Sequence, residues 1–183
     1  MDKIHNPWTT VSYKKVYSNQ WIELNEYDVI NPGGGRSIYG KVSFKNIAIG
    51  IIPIDNELNT WLVGQYRYTL NEYSWEIPMG GGPREIDPLI SAKRELKEET
   101  GITASNWENV LKIHTSNSVT DELGYVFKAT NLKFGEPEPE ESESDLQIKK
   151  LPLIEALHMV ETSEITDSLS QAGIFKIARM LKL

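Results

Sequence analysis

The stretch from Gly80 to Ile102 constrains the fold of this chain more than any other. Three consecutive glycines, Gly80 to Gly82, followed by Pro83, predict a loop, because glycine frees the backbone and proline then stops it sharply. A helix should follow. Asp87 suits the N-cap, and Pro88 suits the first helical position, where a missing N–H is no loss. Gly101 falls where a left-handed C-terminal cap is usually glycine, so the sequence delimits a helix from about Pro88 to Thr100. Leu89, Ala92 and Leu96 recur at spacings of three and four and form one apolar stripe. Glu95 and Glu99 stack on another side, with Glu98 adjoining, and Arg94 lies four residues before Glu98 and can brace it. Like charges so spaced repel unless a cation sits between them, and hard oxygen ligands of this kind suit Mg²⁺ or Mn²⁺.

The rest of the composition narrows the chemistry. With 183 residues the chain can build one domain with a substantial core, or one domain plus a small appended sheet. It has no cysteine, which excludes disulfides, thiolate metal sites and thiol catalysis. A metal would be held by oxygen, or less suitably by His5, His114 or His158. The formal net charge of -7 argues against nucleic acid as the main partner, although a phosphorylated small molecule could bind where metal ions offset the repulsion. No apolar run approaches the ~20 residues of a membrane span, and no apolar signal region opens the chain. The expectation is a cytoplasmic protein that binds no membrane.

Along the chain, residues 8 to 30 are rich in β-branched and aromatic residues and read as two strands separated by Ser18 to Gln20. Asn31 to Gly35 is a turn, and Ser37 to Val42 the returning strand. Asn46 to Pro53 is short, apolar and β-branched, as a buried strand would be. Asp55 to Asn59 turns the chain into a strand from Thr60 to Tyr66. A short strand from Ser74 leads to the glycines. Beyond the helix, Trp107 to Thr115 reads as a strand pair with its turn, Ser116 to Glu122 as a polar loop, and Tyr125 to Ala129 as a strand. Gly135 to Asp145 is acidic and broken by proline, which by itself describes a flexible linker. A strand at Leu146 to Ile148 precedes helices at about Ile154 to Glu161 and Ser168 to Leu181. Leu169, Ile174, Ile177, Ala178 and Leu181 should form the apolar side of the last helix.

Taken alone, residues 94 to 99 would pass for an ordinary solvated helix face. Their flanks argue otherwise. Gly80, Arg94, Glu95, Leu96, Glu98, Glu99, Gly101 and Ile102 fall in register with the Nudix box, Gly-x5-Glu-x7-Arg-Glu-U-x-Glu-Glu-x-Gly-U with U apolar, and the whole stretch resembles it. One position departs: the first glutamate of the box would be residue 86, which is Ile86, with Glu85 just before it. Gln65, Tyr66 and Arg67 resemble the element that precedes the box in the ADP-ribose and nucleoside-diphosphate-sugar branch of that family. The resemblance extends from about Tyr17 to Met180.

The resemblance implies an α/β/α sandwich built on a mixed sheet, with an N-terminal antiparallel β-layer over residues 1–43 and the hydrolase domain over 44–183. In this branch the N-terminal layer pairs across a homodimer and helps to hold the base. It implies hydrolysis of a nucleoside diphosphate sugar at its pyrophosphate bond, with Mg²⁺ held by Glu95, Glu99, a loop carboxylate, here Glu143, and the carbonyl of Met79. Mn²⁺ could substitute. Glu98 would share a metal or orient Glu95, Arg94 would brace the pair, and the general base would be Glu140 or Glu141. Arg67, Glu76, Gly80, Gly81 and Ser118 are the implied substrate contacts. For Arg67 the alternative is a surface ion pair, and for Glu76 an exposed strand position. Ile86 leaves Arg94 without an implied anchor unless Glu85 substitutes. Two other readings stay open: hydrolysis of dinucleoside polyphosphates or nucleoside triphosphates, and a Nudix-fold sensor that binds a nucleotide sugar without cleaving it.

Overall fold

The structure is a computed structural model that describes residues 5–138 and 141–183. Its chain divides into two compact units, one made of residues up to Asn46 with Ser116–Glu122, the other of Ile47–Thr115 with Leu123–Leu183.

The first unit is an antiparallel meander of β1 (Thr9–Ser18), β2 (Ile22–Ile30) and β3 (Arg36–Phe44). Asparagines make both of its turns by accepting backbone N–H groups a few residues ahead, as short amide side chains readily do. Asn19 Oδ1 takes those of Trp21 and Ile22, and Asn31 Oδ1 those of Gly33 and Gly35. The polar loop Ser116–Glu122 runs along β3: Val42 N–H donates to Val119 O at 2.9 Å, and Asp121 Oδ1 accepts from Phe44 N–H at 3.0 Å. Every residue of β1 is exposed.

The second unit holds a mixed four-stranded sheet ordered β7-β4-β9-β8, from β4 (Asn46–Pro53), β7 (Met79–Pro83), β8 (Thr103–His114) and β9 (Leu123–Lys133). β4 and β9 are parallel, and β8 and β9 antiparallel. A second sheet, ordered β10-β5-β6, pairs β5 (Asn59–Arg67) antiparallel with β6 (Glu72–Glu76) and β10 (Gln147–Pro152). The helices are α1 (Pro88–Thr100), α2 (Leu153–Glu161) and α3 (Ser168–Leu181). Successive side chains of a strand face opposite ways, and β4 uses both. Ile47, Ile49 and Ile51 pack with Ala92 and Leu96 of α1 in one core. Ile52 and Ile54 pack with Leu157, Ile174 and Ile177 of α2 and α3 in the other. The result is the expected α/β/α layering. Among the described residues no helix is long and apolar enough to cross a membrane.

Three expectations change. The glycine run is a strand rather than a loop: Gly80 and Gly82 serve close packing, and neither has a positive φ. Trp107 to Thr115 is not a strand pair: Trp107 to His114 belong to one continuous strand, β8, which carries a register shift between Asn109 and Leu111. Leu181 is 37% exposed at the fraying end of α3, so the apolar side of that helix stops at Ala178.

Candidate active site

The caps of α1 form as the sequence implied. Asp87 accepts from Leu89 N–H at 3.0 Å, and Gly101 adopts φ 68° and closes on Lys97 O at 2.8 Å. Between the caps, α1 buries two carboxylates beside its apolar stripe, leaving Glu95 6% and Glu99 1% exposed. β7 makes that possible. A Cβ on Gly80 would stand 2.2–2.4 Å from the Glu95 carboxylate, and one on Gly82 2.6 Å from Ser91 Oγ. Side chains on this strand would push the helix away, so glycine is required for contact rather than for turning.

Burial of charge without full pairing shows in the protonation behaviour. Burial pushes the Glu99 carboxyl up to about 9, with the charges of Glu143 and Glu95 adding to the effect. Met79 N–H donates to Glu99 Oε2 at 2.9 Å and pulls the other way, while Oε1 is buried with no hydrogen-bond partner among the described residues. Burial likewise pushes Glu95 up to about 7, against the pull of Arg94 and with the charges of Glu98 and Glu143 adding to it. Arg94 spans the acidic face. Its Nη1 meets Glu98 Oε2 at 2.5 Å, and its Nη2 meets Glu95 Oε1 at 2.5 Å and the Gly81 carbonyl at 3.0 Å. Residue 86 therefore need not supply an anchor. Ile86 is 42% exposed in the turn before α1, and Glu85 is exposed beside it.

The neighbouring sheet adds an ion pair between a part-exposed arginine and a buried glutamate. Arg67 Nε donates to Glu76 Oε1 at 2.9 Å, and Nη2 closes the fork on Oε2. Glu76 is 3% exposed, which corrects the alternative of an exposed strand position. Arg67 also lies in the fields of Asp167 and Glu99, and its Nη1 takes no part in the Glu76 pair.

The structure thus gathers Arg94, Glu95, Glu98, Glu99, Met79, Gly80 and Gly81 where α1 meets β7, and the charge of Glu143, from a single 3-10 turn at Glu141–Glu143, reaches both buried glutamates. Glu141 is exposed on that turn. Glu140 lies outside the described residues. Ser118 belongs to the first unit, where its carbonyl accepts from the Tyr39 hydroxyl at 2.7 Å. Among the described residues no three His, Asp or Glu side chains converge as a ready-made metal cluster, and Arg94 engages Glu95 and Glu98. The donor set nevertheless fits a hard cation: two buried carboxylates, one with an unsatisfied oxygen, beside backbone that carries no side chain. Sequence reasoning missed Ser170 and Asp167, which meet this region from α3. Asp167 caps α3 locally, but the bond from Ile77 N–H to Ser170 Oγ spans 93 positions and has no local signature.

Fold and site together define an α/β/α protein that presses a glutamate-bearing helix onto a glycine strand. A NUDIX domain family model matches residues 44–169, and the chain belongs to the Nudix family. It is 32% identical to the ADP-ribose pyrophosphatase of Mycobacterium tuberculosis over 174 residues, 92% of this chain and 82% of that one. It is 31% identical over 160 residues to the ADP-ribose pyrophosphatase of Bacillus subtilis and, likewise, to the methanol dehydrogenase activator of Bacillus methanolicus, in each case 87% of this chain and 86% of the relative. A crystal structure of an ADP compounds hydrolase superposes with a TM-score of 0.86 at 20% identity, covering 99% of this chain and 97% of the other, a likeness of fold.

Proposed function

We propose that this chain hydrolyses the pyrophosphate bond of nucleoside diphosphate sugars of the ADP-ribose, ADP-glucose or GDP-mannose type, giving a nucleoside monophosphate and a sugar phosphate. The observation that carries the reading is Glu99, a fully buried carboxyl with one oxygen fixed by Met79 N–H and the other unsatisfied. A site that costs this much desolvation is explained by a cation that completes it. The ADP-ribose pyrophosphatases among the relatives, matched over most of their length, supply the substrate class.

In this reading Glu95, Glu99, Glu143 and the Met79 carbonyl would hold Mg²⁺, with Mn²⁺ as a substitute. The bound ion would offset the phosphate charge and lower the pKa of a coordinated water. Arg94 and Glu98 orient Glu95 from behind, as outer-shell partners of metal ligands do. Arg67, braced by Glu76, offers Nη1 to a phosphate, and the side-chain-free backbone at Gly80 and Gly81 admits the diphosphate. The proton goes to a carboxylate of the acidic connection, Glu140 or Glu141. The protein acts in the cytoplasm as a homodimer joined through its first unit, with Ser118 as a substrate contact.

The test is release of nucleoside monophosphate with Mg²⁺, measured across ADP-ribose, ADP-glucose, GDP-mannose, dinucleoside polyphosphates and nucleoside triphosphates. Cleavage of the diphosphate sugars ahead of the others, abolished by EDTA, is the expected result. Preference for triphosphates or dinucleotides would replace the substrate class, and binding without turnover would make the chain a sensor.

A further inference from the structure

Four successive residues, Glu76 to Met79, link β6 to β7, and each is held by a different part of the second unit. The Glu76 side chain is gripped by Arg67. Pro78 O accepts from Ile51 N–H of β4 at 2.8 Å, and Met79 N–H donates to Glu99. The remaining group, Ile77 N–H, lies on a residue with no exposure and falls between two strands, where no ladder partner serves it. It donates to Ser170 Oγ at 3.0 Å, from 93 positions further along the chain.

Ser170 is itself fully buried, in the first turn of α3. Asp167 Oδ2 accepts both its backbone N–H at 2.7 Å and its hydroxyl at 2.8 Å. The first bond is an ordinary N-cap. The second fixes the direction of the hydroxyl, which spends its proton on Asp167 and turns a lone pair toward Ile77. The same Asp167 carboxylate acts electrostatically on Arg67, the partner of Glu76. The α3 cap therefore acts twice on the first half of the link, at Glu76 through Arg67 and at Ile77 directly, and the link ends on the N–H that sets the rotation of the Glu99 carboxylate.

Building on the hydrolase reading, we propose that Ser170, oriented by Asp167, is a positioning residue: it fixes the Ile77–Met79 backbone so that Glu99 presents its unsatisfied oxygen to a divalent ion. The substitution Ser170→Ala leaves a buried N–H unpaired and frees the link to shift. Hydrogen-bond partners of a metal ligand typically affect affinity or activity by about 10- to 100-fold, and Ser170 acts through such a partner, Met79 N–H, so the lower end is expected. Asp167→Asn keeps one oxygen able to accept both bonds but removes the negative charge that the Ser170 hydroxyl and Arg67 face.

The experiment is Mn²⁺ titration of the nucleotide-free protein, followed by the EPR signal of the free ion, for wild type, Ser170→Ala, Ser170→Thr and Asp167→Asn, with thermal melts in EDTA and steady-state kinetics alongside. The expected result is Mn²⁺ affinity weakened about 10-fold or more in Ser170→Ala and in Asp167→Asn, recovered in Ser170→Thr, with kcat falling while KM stays within about twofold. Lowered melting temperature with unchanged Mn²⁺ affinity and kcat would reduce Ser170 to a structural residue and overturn the inference. If Ser170→Ala does not fold, Asp167→Asn decides on the same readout. A wild type that binds Mn²⁺ but cleaves no diphosphate sugar would overturn the substrate reading, and the titration would still decide this one.

Discussion

In the proposed hydrolase Glu99 is the residue on which most turns, and its physics gives two separable predictions. Its folded pKa of about 9 lies far above the ordinary glutamate value of 4.5, so the folded state holds a proton that the unfolded state releases. The sign follows: without metal, stability is fully present below about pH 4.5 and is lost as the pH rises toward 9. Glutamine mimics the neutral acid, so Glu99→Gln should show a flatter melting temperature in EDTA between pH 6 and pH 9, overtaking wild type at the alkaline end. Parallel curves would contradict the burial argument. With Mg²⁺ present the order reverses, because an amide cannot replace an anionic ligand; turnover should fall on the order of 10³-fold, several kcal/mol of transition-state stabilisation. A product assay with saturating Mg²⁺ reads this directly. Arg67 shows how much of such a residue sequence can reveal. An ion pair and a phosphate contact were alternatives on paper, whereas the structure sets the ion pair to Glu76 on one edge of the guanidinium and leaves Nη1 outside it.

At the scale of elements, α1 was legible to its last residue because its ends are written in local chemistry: Asp87 and Pro88 at the start, Gly101 at the stop. β7 was not legible. Gly80 to Gly82 carry the signature of a loop; what makes them a strand is their place beside β4 in the sheet, and what demands glycine there is the side chain of Glu95, 15 positions away in sequence, lying where a Cβ would be. Gly80→Ala should accordingly fold, since the helix can retreat, yet lose about 100-fold in kcat because Glu95 is displaced; kinetics paired with circular dichroism would separate the two effects. The β4–β5 turn offers a test of stability apart from the site. Asp55 is part-buried, which raises its pKa, but the N–H groups of Asn59, the Lys150 ammonium and Glu57 N–H outweigh this and hold the carboxyl at about 2. Its folded pKa lies below the unfolded value of 3.8, so its contribution is present above about pH 4 and disappears as the pH falls through 2. Asp55→Ala should cost about 1 to 2 kcal/mol at pH 7, the lower end reflecting solvent around the Lys150 pair, and only a small part of that near pH 2, where the carboxyl is about half protonated. Urea melts at the two pH values check it.

The whole molecule poses a question that its first unit answers only in part. A three-stranded sheet on its own is marginal in water, and this one leaves large apolar side chains open: Val11, Tyr13, Val16 and Tyr17 on β1 are each about half exposed or more, and Ile38 on β3 is 71% exposed. Tyr13 stacks on Tyr27 at 5.5 Å, and Trp8 meets Tyr39 edge-on at the same separation. Aromatic side chains arranged in this way are enriched in protein interfaces, and β1 is also a long edge strand with its second side unpaired in the sheet order. Natural sheets blunt such an edge with charge or proline, and within β1 only Lys14 and Lys15 serve, each already paired with a glutamate of β2. Proteins rarely leave apolar surface of this extent to water, so a second copy of the chain is the expected cover. Sedimentation equilibrium should give twice the chain mass of 20.8 kDa. The double substitution Tyr13→Glu and Ile38→Glu, which places a charge on each face of the sheet, should shift the protein to monomer with its second unit still folded. A wild type that sediments as a monomer at tens of micromolar would remove the homodimer and leave the hydrolase reading standing on α1 and β7.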